Sequence, residues 1–366
     1  MRKLSLIFFV ILLVTKVGFA DQSKVDSLRA DYRNAEHDTT RINILLYWGE
    51  AIYLTYPDSA LILWTKARDI SDKYLTGNSE FSELELMMLK KGKANALVNM
   101  GYIYGQQGNP QLQLEFTLNA AKIFENLLTE NLEVSTFLSR ALGIKKGLAE
   151  AYNNIGFIYN NQGEIDKALE YFFLSLKIQE EIKDKRGMAM SYNNIGFIYS
   201  NQGEIEKALE YFFLSLKLRE EIKDKEGMAY SYNNIGLTYD NQGEIDKALE
   251  YYFLSLKLRE EIKDKRGVAQ SYHNIGSVLC KLDSMEKGMR YLELGLGLAK
   301  ELEHKARISD DYSMIGSWQL KSGQAELALE SGLEALAVAK EIGHVEYMKR
   351  AARLLSGIYR KLGNAP

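Results

Sequence analysis

The chain has 366 residues, 46% of them hydrophobic and 26% charged, with 28 glycines but only 3 prolines, a balance that points to helices. Its formal net charge of -3 offers no basic surface for nucleic acid. One cysteine, Cys280, excludes an internal disulfide and a cysteine-ligated metal site, so packing has to hold the fold together.

The first twenty residues have the layout of a secretory signal: a basic start at Arg2 and Lys3, an apolar run from Leu4 to Val14, and small residues at Gly18 and Ala20. Cleavage is expected after Ala20, which would remove three positive charges and leave a mature chain at -6. An uncleaved anchor is the competing reading, but eleven residues at roughly 1.5 Å each fall short of the ~30 Å hydrocarbon layer. No cysteine follows Ala20 to carry a lipid, and no later run is long and apolar enough to span a bilayer. An exported protein, periplasmic or secreted, without stable membrane insertion after cleavage is the expectation.

Residues 21–146 carry a loose repeat. Trp48, Gly49, Ala60, Trp64 and Ala67 predict a helix pair from about 40 to 75, and Met100, Gly101, Tyr104 and Gly108 another from about 80 to 128. Pro57 and Pro110 would open the second helix of each pair, where the missing N–H is tolerated. Gly101 and Gly156 are 55 residues apart, so an insertion is expected near 129–145.

From 147 the pattern tightens. Residues 147–186 and 187–226 match at 32 of 40 positions, 227–266 nearly repeats them, and weaker copies follow at 267–306 and 307–346. One glycine marks the register: Gly156, Gly196, Gly236, Gly276 and Gly316. Within a unit, Ala149, Tyr152, Ile155 and Tyr159 form one helical stripe, and Gly163 supplies a residue able to turn left-handed. Ile165, Ala168, Leu169, Phe172 and Leu176 form the stripe of a second helix. Gly156 lies mid-helix, where it costs about 1 kcal/mol relative to alanine, so its recurrence predicts close helix contact there, with Ala168 as its counterpart. A single pair buries only one face, which makes stacking obligatory. Five such units fill 147–344, and a closing helix is expected within 345–366, where Ala351, Leu355, Tyr359 and Gly363 fit half of the pattern.

Tyr152, Ile155, Gly156, Tyr159, Ala168, Phe172 and Ser175 fall where the tetratricopeptide repeat places its signature, and the chain resembles that family in a long, 40-residue variety. The stretch from Lys24 to Ala67 is also similar to the opening of exported tetratricopeptide regions of Bacteroidetes. The resemblance implies an all-α fold, an α-solenoid wound as a right-handed superhelix of antiparallel helix pairs, with an inner groove that holds peptides.

Catalytic chemistry has little support. His37, His273, His304 and His344 lie in different repeats without metal-ligand spacing, and neither a cofactor nor a metal is expected. The carboxylate pairs Glu180/Glu181, Glu220/Glu221 and Glu260/Glu261 recur beside Lys183, Lys223 and Lys263, which marks a solvated ion-paired face. Phosphate loops, nucleophile elbows and dinucleotide fingerprints are absent from the sequence.

Positions 150, 153, 157 and 160 form a second line on the first helix of the unit, away from its packing stripe. Asn153, Asn193, Asn233 and His273 stand on it or on its repeats, with Asn154, Asn194, Asn234 and Asn274 beside them and Phe157 and Phe197 nearby. An amide both donates and accepts, so such a ladder can pair with the backbone of an extended peptide without demanding a side chain. In the resembled families an asparagine two residues before the helix glycine contacts peptide, which singles out the second row. The competing reading is that these amides tie neighbouring helices together.

The expected function is a non-catalytic scaffold that binds an extended peptide or helix of an unidentified protein. The alternative is the sensory half of a bacterial envelope signalling protein whose membrane helix and effector module would follow residue 366. Self-association stays open, since the end of the array would leave Leu355 or Ile358 either exposed to another chain or covered by its own helix.

Overall fold

The computed structural model describes residues 22–76, 81–129, 143–282 and 284–363. The predicted leader and most of the predicted insertion near 129–145 lie outside them. Among the described residues the chain forms sixteen helices and no strand, an all-α solenoid in which consecutive helices pack in pairs. They divide into two compact units, residues 1–191 and 192–366.

The first unit holds α1 (Gln22–Asn34), α2 (Asp38–Ile52), α3 (Pro57–Leu75), α4 (Glu83–Gln106), α5 (Pro110–Thr129), α6 (Ile144–Asn161), α7 (Ile165–Ile182) and the start of α8 (Lys185–Asn201). Helices α2 and α3, α4 and α5, and α6 and α7 pack as pairs, and α4 also touches both α2 and α6. Trp48, Ala60, Trp64, Ala67 and Met100 share one core, and Phe124, Leu127, Leu148 and Ile155 another.

The second unit holds the rest of α8, then α9 (Ile205–Glu221), α10 (Lys225–Gln242), α11 (Ile245–Glu261), α12 (Lys265–Lys281), α13 (Met285–Glu301), α14 (Lys305–Lys321), α15 (Ala325–Glu341) and α16 (Val345–Lys361). Its buried clusters repeat the same recipe, with Phe212 on Ile235, Tyr252 on Ile275, and Leu292 on Ile315 and Trp318.

Local chemistry explains the repeat. Gly163, Gly203, Gly243 and Gly323 end the first helices at φ near +80°. A Cβ on Gly156 would stand 2.9 Å from the Phe172 ring and 3.1 Å from the Ala168 carbonyl oxygen, so the mid-helix glycine is the close crossing its recurrence predicts. Between units, Lys183, Lys223 and Lys263 take left-handed φ values of 57° to 59°, and the aspartate that follows caps the next helix. Asp184, Asp224 and Asp264 each accept the backbone N–H three residues on, at 2.9 to 3.0 Å.

Two of the recurrent carboxylates, Glu181 and Glu261, are ion-paired to residues other than the lysines beside them. Glu181 meets Lys145 at 2.8 Å and Glu261 meets Lys225 at 2.9 Å, each pair tying the two ends of one helix hairpin together. Lys183 and its repeats are committed to the turn instead. Cys280 is buried, and desolvation pushes its thiol up to about 11. Leu355 and Ile358 are buried against Ala328 on α15, so the apolar patch left open at this end of the sequence is covered by the chain's own packing. The reason is that α16 turns its apolar stripe onto α15.

Candidate functional site

The first unit contains a groove of about 530 Å³ built almost wholly from first helices of successive pairs. Helix α2 contributes Glu50 near its C-terminus, with Tyr53 just beyond; α4 contributes Asn99 and Tyr102; α6 contributes Glu150, Asn153 and Asn154; α8 contributes Arg186 and Met190. These lie on one side because i, i+3 and i+4 spacing keeps a helix face together, while the glycine crossings hold the second helices on the other side.

The floor is fixed by a buried polar relay. Ser191 Oγ donates to Gln179 Oε1 at 2.8 Å, Gln179 Nε2 donates to Ser175 Oγ at 2.9 Å, and Ser175 Oγ donates to the Ala149 carbonyl at 2.7 Å. Gly187 leaves room for it, since a Cβ there would stand 3.0 Å from the Gln179 side chain. Each of these buried groups is satisfied, which makes the floor rigid rather than costly.

One wall is aromatic: the Tyr53 and Tyr102 rings meet edge to face at 5.7 Å, and Tyr53 leans on Trp64 at 6.3 Å. The other features are polar. Asn99 Nδ2 reaches Glu50 Oε1 at 3.4 Å, and Lys146 stands 3.9 Å from Glu150 with both side chains about 60% open to water. Desolvation raises the Glu150 carboxyl above its ordinary value, and the Glu50 and Asp184 charges push the same way while Lys146 opposes. Desolvation likewise raises Glu50, against the Asn99 hydrogen bond and Lys24. A side chain can be both wet and raised when it projects into a concavity, where protein replaces part of its hydration shell.

The ten residues singled out by sequence are divided between the two compact units. Asn153 and Asn154 line the groove; Phe157, on the same helix, is half exposed but outside the lining. Asn193, Asn194, Phe197, Asn233, Asn234, His273 and Asn274 belong to the second unit. There Asn234 Nδ2 donates to Asn193 Oδ1 at 2.9 Å, and Asn274 Nδ2 donates to Asn233 Oδ1 at 2.9 Å, so these amides bridge neighbouring first helices. Phe197 remains exposed. His273 is buried, its Nδ1 2.6 Å from Asp311 Oδ1 and its Nε2 3.8 Å from Asp310. Burial raises the Asp311 carboxyl, and His273 partly offsets it.

Glu50, Tyr53, Asn99, Tyr102, Glu150 and Gln179 were not singled out from sequence. Two carried a signal: Asn99 lies two residues before Gly101, as Asn154 does before Gly156, and Glu150 stands one turn before Asn153. Among the described residues no group of three histidine, cysteine or acidic side chains is placed to hold a metal, and no helix is long and apolar enough to cross a membrane.

Residues 147–221 and 187–261 match the tetratricopeptide repeat model, so this stretch of the chain is built of tetratricopeptide repeats. No curated protein matches the sequence. Among solved structures the chain is similar to the apo form of the quorum sensor NprR from B. thuringiensis, with a TM-score of 0.62 at 16% identity over 93% of this chain and 87% of that one. It is similar to a Rap protein complexed with competence and sporulation factor, at a TM-score of 0.52 and 14% identity, over 89% and 99% of the two chains. Aspartyl phosphate phosphatase F from Bacillus subtilis gives a TM-score of 0.59 at 15% identity over 88% and 75%. At these identities the likeness is one of fold.

Proposed function

We propose that this chain is a non-catalytic scaffold that holds an extended segment or a helix of a partner protein against its first-helix face, and that it does so outside the cytoplasm. The observation that carries the binding reading is the groove between α2, α4, α6 and α8: amides, an aromatic corner and two incompletely paired carboxylates on a rigid floor. Such a surface offers contact area and backbone hydrogen bonds but no nucleophile with an adjacent base. The fold likeness to a Rap protein crystallised with a signalling factor supports the same reading. Export rests on the layout of residues 1–20 alone.

The test is a hydrogen-exchange footprint on residues 21–366 with a partner captured from envelope extract. Protection concentrated on 50–53, 99–102 and 146–154 supports the groove. Protection confined to the second helices α3, α5 and α7 would place the binding surface on the other side. A sensory role is the second reading, favoured by the fold shared with a quorum sensor; an effector module encoded directly after residue 366 would decide for it.

A further inference from the structure

Glu50 and Glu150 come from helices a hundred residues apart in sequence, yet both line the one groove, where the Glu50 charge adds to the desolvation that raises the Glu150 carboxyl. Neither has a tight cationic partner: Glu50 meets the Asn99 amide at 3.4 Å, and Lys146 stands 3.9 Å from Glu150. The third acidic group, Asp184, is already engaged, since it accepts the Gly187 N–H at 3.0 Å. The basic groups in reach are Lys24 beside Glu50, Lys146 one turn from Glu150, and Arg186 on the exposed start of α8. Desolvation is the main cause that raises both carboxyls, with Asp184 and Glu50 adding to it at Glu150, and a cation placed between the two carboxylates favours their charged forms. Beside them the Tyr53 and Tyr102 rings form an edge-to-face corner, a surface that takes the alkyl stem of a long side chain and attracts its charged end.

We propose that the groove receives a lysine or arginine side chain of an extended partner segment, its charge seated between the Glu50 and Glu150 carboxylates and its stem against Tyr53 and Tyr102, with Asn154 paired to the segment's backbone. This inference rests on the groove reading above and narrows the ligand to a basic peptide. Lys146 swings aside into solvent, which its exposure permits. Neutral amides set the chain direction, and the carboxylates choose the side chain.

The experiment uses residues 21–366 and three pools of end-blocked random octapeptides, fixed at the fourth position as lysine, norleucine or glutamate, with affinity read by fluorescence polarisation. The lysine pool is expected to bind at least about tenfold more tightly than the norleucine pool, as a desolvated charge pair requires, and the glutamate pool more weakly still. The Glu50→Gln/Glu150→Gln variant is expected to lose that preference while keeping the fold by circular dichroism. Affinity for the lysine pool falls as pH falls toward 4.5, because both carboxyls take up protons above their ordinary range. A groove-filling variant, Met190→Trp at an exposed position, separates the two claims. If lysine and norleucine pools bind equally and Met190→Trp abolishes both, the groove stands and the cation seat is overturned. If no pool binds, or Met190→Trp has no effect on any pool, both readings fail.

Discussion

His273 and Asp311 show how two residues out of pattern can depend on each other. Repeats upstream carry asparagine where His273 stands and serine where Asp311 stands, as at Asn233 and Ser271. His273→Asn alone strands a fully buried carboxylate whose other oxygen already has no partner, and it should lower stability by about 3 to 5 kcal/mol. His273→Asn/Asp311→Ser restores the repeat consensus and should recover most of that loss in urea melts. Equal loss in the single and double variants would mean that the pair contributes nothing as a pair. Lys223 gives a test of opposite sign. It sits at φ 57°, a conformation unfavourable for a side chain, and Gly343 occupies the equivalent turn at φ 68°. Lys223→Gly should raise stability by roughly 0.5 to 1 kcal/mol; a decrease would show that the lysine makes a contact worth more than the strain.

At the scale of the element, helix crossings and terminal cover set the tolerances. Gly196 allows α8 to approach α9: a Cβ there would lie 2.9 Å from the Phe212 ring and 3.1 Å from the Ala208 carbonyl. Gly196→Ala improves helix propensity by about 1 kcal/mol but must separate the helices, so a net destabilisation of about 1 to 2 kcal/mol is expected by denaturant titration. Helix α16 covers Ala328 and Gly332 with Leu354, Leu355 and Ile358. Ending the chain at 344 would bare that apolar face of α15, and light scattering should then report more self-association than for residues 21–366; no increase would show that the face needs no cover.

For the whole molecule, the 40-residue register predicts that complete units can be removed. Deleting 227–266 joins Glu226 to Gly267, which keeps every capping aspartate and helix glycine in phase. The shortened chain should keep its helical circular dichroism per residue and unfold at lower urea, since each unit contributes its own core and neighbour interfaces. Loss of cooperative folding would show that the second unit depends on contacts beyond nearest neighbours.

The sequence by itself determined the helices, their pairing register and the glycine crossings, because these follow from apolar spacing and from backbone conformations local to one unit. Asn153 and Asn154, singled out on the first helix of their unit, line the groove. Only the tertiary structure decided which polar groups face one another. Glu50, Tyr102 and Glu150 stand in different repeats, and no periodicity within one helix brings them together. The same holds for the amides of the second unit: Asn193 with Asn234, and Asn233 with Asn274, found partners on the neighbouring first helix. A row of asparagines reads identically in sequence whether it faces a ligand or the next helix, since the amide serves both, and the distance between helices settles which partner it meets.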